Sequence, residues 1–413
     1  MNFKDSISYA EKEDQEDQLS HFRQKFFYPK DSLDKKIIYF CGNSLGLQPK
    51  SVPELIKNEL ELWGEKGVLG QHIRWVDFHE RLAKPSANIV GAKPSEVVIM
   101  NALTVNIHLL LVSFYHPQKK RFKVIIEKDA FPSDQYAIES QISFHGYNKE
   151  EALVEIAPRD GRKVLDEKDI LDAIELHGDS IALIYLGGVN YYTGQVFDME
   201  SITSFGKKHG ATIGFNLAHC AGNIELELHD WGVDFASWCT YKYLCAGPGS
   251  PAGVFIHEDH HDWKGPRFAG WWGHDKNTRF KMPAEFSPIK TAEGWQISNA
   301  PIMGMIPLMA SLELYEKAGM ENIRNKGIKL TGYLEFLIKI DLPEVSIITP
   351  NNKGSQLSIS IKKGRQVFDR LIEEGLICDW REPDVIRLAP HPLFNTFQEV
   401  FNTVKLIRDV LNE

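Results

Sequence analysis

Cysteine is scarce in this chain. Its 413 residues include five, Cys41, Cys220, Cys239, Cys245 and Cys378, and no two have C-x-x-C spacing. An odd, unpaired set excludes a disulfide framework. Four of the five lie in or beside apolar runs, so they read as reduced, buried thiols of a cytoplasmic protein. Long apolar runs are also missing. None approaches the ~18 residues of a membrane span, so no membrane association is expected. The N-terminus is rich in Lys, Glu, Asp and Gln, without the apolar stretch of a secretory signal. Basic excess is absent: 47 Lys and Arg face 56 Asp and Glu, a net charge of −9. That argues against a nucleic-acid partner, whose footprint is basic and clustered. No internal repeat or low-complexity linker divides the chain.

What is present is an ordinary globular composition, 43% hydrophobic and 25% charged. Single cores stop growing near roughly 250–300 residues, so two lobes are expected. The first ~28 residues lack Gly and Pro and predict a helix. A tight turn follows at CGNSLG, residues 41–46, and then a helix over 51–63 with Pro53 in its first turn. From there, apolar runs at 97–100, 124–127, 153–156, 181–186 and 211–215 alternate with helical patterns near 104–114, 133–143, 166–177 and 198–209. Strands alternating with helices predict an α/β fold, a mainly parallel sheet with helices on both faces. Residues 236–240 and 253–257 could add two strands. Beyond about 300, helices (302–318, 321–340, 397–411) and short strands (345–348, 356–361, 385–388) predict a smaller α+β domain. The expected division is an N-terminal segment, 1–60, packing with the small domain, then a large domain, 61–300, and the small domain, 301–413.

Six segments could carry chemistry. In SWCTYKYLCAGPG, residues 237–249, Lys242 stands among Trp238, Tyr241, Tyr243 and Leu244. Desolvation would depress its pKa, as a Schiff-base lysine needs, although such a lysine alone more often snorkels to the surface. GFNLAHCAG, residues 214–222, ends a predicted strand, where open α/β sheets bind ligands. Asn216 and His219 there could reach a cofactor ring, or simply cap a helix. In MNALTVNIH, residues 100–108, a strand ends and a helix starts near Thr104, giving an anion site suited to phosphate or an ordinary N-cap. FPSDQY, residues 131–136, puts an aromatic ring and a carboxylate on a loop rim. Trp271 and Trp272 form an unusually aromatic run with Gly273 and His274, of a kind more common in cores and interfaces. Arg387, inside the apolar strand of VIRLAPHP, needs an anionic partner, from a substrate or from a protein Asp.

Together these residues resemble the kynureninase family. The likeness rests on GNSLGLQPK (42–50), NALTVN (101–106), FPSD (131–134), YTGQ (192–195), LAH (217–219), HDWGVDFASWCTYKYL (229–244), RFKM (279–282), SNAP (298–301) and IRLAP (386–390), and runs from about residue 37 to 400. The resemblance implies a fold-type I pyridoxal-phosphate (PLP) enzyme, aspartate-aminotransferase-like, working as a homodimer on a small-molecule substrate. It implies that Lys242 carries the cofactor as a Schiff base and takes the substrate α-proton, and that Tyr241 donates a proton to the β-carbon. Leu103, Thr104 and Tyr241 would hold the phosphate. Phe131 would stack on the pyridine ring, with Pro132, Ser133, Asp134 and His219 in the cofactor shell. Trp271 and Asn299 would come from the partner subunit, next to phosphate and substrate. Arg387 would bind the substrate α-carboxylate beside Ser44. No metal is implied.

Two positions depart from the family. Its members normally have Asp where this chain has Asn216. A carboxylate stabilises a protonated ring nitrogen; an amide supplies no charge. Either Asp134 provides the missing charge, or the chain is a weakened or inactive PLP-binding protein. The second departure is in residues 64–75, where animal members keep a histidine facing the substrate ring. Val68 falls near that place and His72 could substitute. A remaining rival is another fold-type I reaction, by an aminotransferase or a desulfurase; the latter needs a reactive cysteine, and Cys378 is the only late one.

Overall fold

The computed structural model describes residues 2–30, 37–159 and 161–413. Among them, the largest sheet has seven strands. Across it lie Val97–Met100, Ala252–Ile256, Phe235–Trp238, Thr212–Asn216, Ile181–Gly187, Lys123–Glu127 and Leu153–Ile156. Ala252–Ile256 is antiparallel to both neighbours, and every other pairing is parallel. Six of the seven strands therefore run in one direction. Ile181–Gly187 is buried along almost all of its length, as a strand covered on both faces must be. The covering helices include Leu103–Phe114, Pro132–Phe144, Glu167–His177 and Met199–Lys208. The expected α/β fold and its strand and helix positions are met to within one or two residues.

A four-stranded antiparallel sheet lies toward the C-terminus, in the order Asp379–Arg381, Val385–Leu388, Leu357–Ser360, Ser346–Ile347. Its apolar cluster joins Leu330, Tyr333, Leu357, Ile386 and Val404 to Ala10 and Phe40. Ile38–Tyr39 pairs in parallel with Leu376–Ile377, and the buried ammonium of Lys326 meets Asp17 at 2.7 Å. The helix Ile302–Ala318 instead packs Met305, Ile306 and Leu312 into the cluster of the large sheet, with Phe215 and Trp238.

The expected N-terminal helix is interrupted. It spans Ile7–Gln15, begun by Ser6, whose hydroxyl accepts from the Tyr9 N–H. Asp17 then accepts from the Leu19 N–H in a turn, and a 3₁₀ segment covers Ser20–Lys25. Met1 lies outside the described residues. The helix Gly364–Glu373 was not anticipated. Among the described residues, no helix is long and apolar enough to cross a membrane.

The 41–46 turn is locked onto the large domain. The Gly46 N–H donates to the Tyr241 carbonyl at 2.8 Å. A Cβ on Gly46 would lie 2.5 Å from the Lys242 carbonyl oxygen and 2.5 Å from Cys245 Sγ. Gly46→Ala is therefore expected to destabilise the protein by about 1–3 kcal/mol. Urea unfolding checks this, and an unchanged midpoint would show that the turn can move aside.

Candidate active site

Parallel strands bring their C-terminal ends to one edge of the sheet, and the sequence places polar residues there. Glu127, Gly187 and Asn216 end three of these strands. Tyr241 and Lys242 follow a fourth, and Leu103 and Thr104 begin the helix after a fifth. These residues line one cavity of 310 Å³, together with Asn43, Ser44, Phe131, Ser133, Asp134, His219, Tyr191, Arg381 and Arg387. The cavity is a crevice beyond strand ends, where open α/β sheets place ligands.

Lys242 is the centre of this wall. Its Nζ lies 2.9 Å from His219 Nε2 and 5.9 Å from the centre of the Phe131 ring. No carboxylate forms an ion pair with it among the described residues. Burial holds its amine below the ordinary lysine value; Cys239 opposes this and Arg387 reinforces it. Burial and the neighbouring Lys242 hold His219 well below its ordinary value. His219 is therefore neutral, and its Nδ1 is buried without a hydrogen-bond partner.

The acidic corner lies along the same strand ends. Asn216 Nδ2 donates to both oxygens of Asp134 at 2.8 Å. Its Oδ1 accepts from the Ala218 N–H at 3.0 Å, which fixes the orientation of the amide. Burial pushes Asp134 up to about 7, against the opposing Asn216 and Lys242. Glu127 is also buried and accepts from Asn190 Nδ2 at 2.7 Å. Burial pushes it up to about 7, opposed by Asn190 and reinforced by the charge of Asp134.

The cationic side comes from the C-terminal sheet. Arg387 is 1% exposed. Its Nη1 donates to the Tyr191 carbonyl at 2.6 Å, and its Nη2 donates to Asp379. Its Nε has no partner. The anion that the sequence required is therefore a protein carboxylate in part, with donor capacity left over.

Most of the expected site residues meet here. Leu103, Thr104, Phe131, Ser133, Asp134, Asn216, His219, Tyr241, Lys242, Arg387 and Ser44 line the cavity. Pro132 does not. It begins the helix that carries Asp134, where its missing N–H costs nothing. Trp271 and Asn299 do not line the cavity within this chain; both are exposed, Trp271 by 46%. In the 64–75 region, Val68 and His72 are exposed and also stay out of the cavity. This segment is partly helical, with the preceding helix reaching Lys66 and a π-helical turn at Gln71–Trp75. Glu127, Tyr191 and Arg381 escaped the sequence reading. Glu127 had a signal, a carboxylate closing the apolar strand KVIIE; Arg381 had none beyond a charged hairpin.

The residues fit the cofactor implied by the resemblance. The helix Leu103–Phe114 opens on Ala102 with no side-chain cap, leaving first-turn N–H groups for a phosphate beside Thr104. Phe131 offers a 41% exposed ring, Lys242 a depressed amine, and Asp134 a carboxylate with no cation in contact. The partnerless Nδ1 of His219 is a free polar contact at the same wall.

A family model described as the kynureninase C-terminal domain matches residues 323–407. A kynureninase from Flavobacterium psychrophilum is 50% identical over 420 residues, covering 99% of each chain. One from Myxococcus xanthus is 51% identical over 415 residues, covering 98% of this chain and 97% of that one. The Homo sapiens kynureninase is 45% identical, covering 97% and 92%. Among solved structures, a cysteine desulfurase from Thermococcus onnurineus NA1 aligns with a TM-score of 0.77 at 19% identity, covering 95% of this chain and 98% of that chain. The cystine C–S lyase C-DES, with glycine covalently linked to its PLP cofactor, aligns at 0.78 and 17% identity, covering 93% and 98%. Those two likenesses show the fold.

Glu127 gives a pH prediction. Its pKa is about 7 when folded and near 4.3 in an unfolded chain. The folded state thus holds the extra proton between those values, and stability falls as pH rises through that window. Glu127→Gln keeps an acceptor for Asn190 and removes the charge. It should stabilise the protein by roughly 1–3 kcal/mol at pH 8 and little at pH 4. Parallel wild-type and variant stability curves across that range would refute the assignment.

Proposed function

This chain belongs to the kynureninase family, and we propose that it hydrolyses the Cβ–Cγ bond of L-kynurenine, 3-hydroxy-L-kynurenine or both, with PLP as cofactor. The products are anthranilate or its 3-hydroxy form, and L-alanine. Such a hydrolase serves tryptophan catabolism and NAD biosynthesis. The observation that carries this reading is the Lys242 amine, buried on the cavity wall with no acid paired to it, next to an uncapped helix start and an exposed aromatic ring.

Bound there, PLP supplies an electron sink for charge developing at the substrate α-carbon. Lys242 would be its covalent anchor and would serve as the base that takes the substrate α-proton. Burial holds its pKa below the ordinary lysine value, which favours the neutral amine. Leu103, Thr104 and Tyr241 would hold the phosphate, and Phe131 would support the ring. Asp134, carried on the helix begun by Pro132 and Ser133 and held by Asn216, would support the ring nitrogen, and His219 would share that shell. Tyr241 donates the proton to the β-carbon; burial pushes its phenol up, with Cys239 adding to the effect, so it stays protonated until used. Arg387 and Ser44 bind and orient the amino-acid end of the substrate. Fixing that carboxylate lowers the entropic cost of aligning the bond to be broken.

Trp271 and Asn299 complete the site of a second copy in a homodimer. Their exposure, along with that of Phe268, Phe280 and Met282, supports this. The five free thiols support a cytoplasmic location. The small domain begins after the helix Ile302–Ala318, whose apolar residues pack into the cluster of the large sheet. A desulfurase reading finds no support in Cys378, which is buried with its thiol pushed well above the ordinary value by burial.

Borohydride reduction of PLP-loaded protein should label one peptide, at Lys242, and added L-kynurenine should yield anthranilate and alanine. A label elsewhere refutes the anchor. Asn216→Asp is expected to raise turnover at least about tenfold, the worth of one pKa unit at the ring nitrogen. An unchanged rate would mean that Asp134 alone supplies the charge.

A further inference from the structure

The cavity wall formed by the C-terminal sheet carries more positive charge than one arginine. Asp379–Arg381 and Val385–Leu388 form an antiparallel hairpin with Asp379 opposite Arg387 and Arg381 opposite Val385. Opposed residues share a face, and so do residues two apart on one strand. Asp379, Arg381 and Arg387 therefore stand on one face. Both arginines line the cavity that holds Lys242.

Asp379 is the anion between them. Its Oδ2 accepts from Arg387 Nη2 and from Arg381 Nη2 at 3.3 Å, and its Oδ1 lies 3.1 Å from Arg381 Nη1. Arg381 Nη1 also donates to the Trp380 carbonyl at 3.1 Å. Two guanidinium groups thus share one carboxylate. The other acids of the hairpin are engaged elsewhere: Glu382 accepts from Trp380 Nε1, and Asp384 accepts from the Ser360 hydroxyl. Nε of Arg381 and Nε of Arg387 are both buried without a partner. A surplus positive charge with spare N–H donors, partly removed from water, is a binding site for an anion.

We propose that Arg381 is a second carboxylate-binding residue of this site, so that the substrate α-carboxylate is held between Arg387 and Arg381, with Asp379 fixing both. This rests on the reading that the substrate is an amino acid with a free α-carboxylate. The two arginines divide the work by depth. Arg387 is fully buried and fixes the end point, while the Arg381 side chain is 36% exposed and can meet an anion still partly hydrated. The shared Asp379 keeps the guanidinium groups from repelling one another while leaving a net positive charge.

The test uses cofactor-loaded wild type, R381Q and R381K, with calorimetric titration of two ligands. One is 3-benzoylpropionate, which carries the aryl ketone and the carboxylate without the amine. The other is butyrophenone, the neutral ketone. In R381Q the Kd for 3-benzoylpropionate should rise roughly 10- to 100-fold, the usual worth of a charged hydrogen bond, and that for butyrophenone should stay the same. R381K should recover part of the loss. The KM for L-kynurenine should rise in parallel. The proposal is overturned if R381Q binds the acid as wild type does, if both ligands weaken alike, or if wild type prefers the acid no more than the ketone. Wild-type protein that fails to cleave L-kynurenine would sink the functional reading instead, and the two Kd values would still decide the role of Arg381.

Discussion

The site depends on a buried amine that has no acid in contact among the described residues. Lys242 Nζ touches a neutral imidazole at 2.9 Å, and its surroundings are closed by Trp238, Tyr243 and Leu244, all at most 1% exposed. Burying an ammonium without a counter-ion is costly, so the group responds by giving up its proton more readily. That response makes a lysine a nucleophile near neutral pH. The fold creates this environment by ending one strand at Trp238 and seating the Gly46 turn directly on the Lys242 backbone. A side chain at position 46 would open the packing that dries the amine.

Around that amine the cavity is polarised. The buried acids come from the large domain, Glu127 at a strand end and Asp134 in the first turn of the helix Pro132–Phe144. Guanidinium groups come from the C-terminal sheet. The two sets are brought together because Ile38–Tyr39 pairs with Leu376–Ile377 while the following turn packs on Tyr241 and Lys242. An amino acid with one charge of each sign has only one orientation that suits such a cavity. The same arrangement fits a cofactor with an anionic phosphate at one end and a ring nitrogen at the other. Its phosphate would suit the uncapped helix start at Leu103, and its ring nitrogen would suit Asp134.

Much of this was legible in the sequence. The parallel strands could be read because strands buried on both faces are continuous apolar runs, and their polar terminators mark the ligand edge. Lys242, Thr104, Phe131, Asp134 and His219 were found for that reason, aided by the family likeness. What could not be read were relations across the chain. Asn216 and Asp134 are 82 residues apart and form a pair only because the strand end at Asn216 and the first turn of the helix Pro132–Phe144 meet at one edge of the sheet. Arg381 became part of the site through hairpin register, which a short charged segment does not reveal. Trp271 and Asn299 do not line this chain's cavity. The helix Gly364–Glu373 was missed in a stretch that also holds two short strands, where helical and extended periods run together.

The amide at 216 has an electrostatic logic that the sequence alone did not suggest. Glu127 and Asp134 already occupy one buried corner, and the charge of Asp134 helps push Glu127 up. An aspartate at 216 would add a third carboxylate, facing Asp134 at hydrogen-bond distance. Without a proton or a cationic ring between them, two such groups cannot both ionise cheaply. Asn216 removes that repulsion and replaces it with two donated hydrogen bonds, so Asp134 is satisfied even before any cofactor arrives. The same bonds stabilise Asp134 in its charged form, the form a protonated ring nitrogen requires. Position 216 thus acts through its neighbour, holding the Asp134 carboxylate with two donated hydrogen bonds in place of a charge of its own.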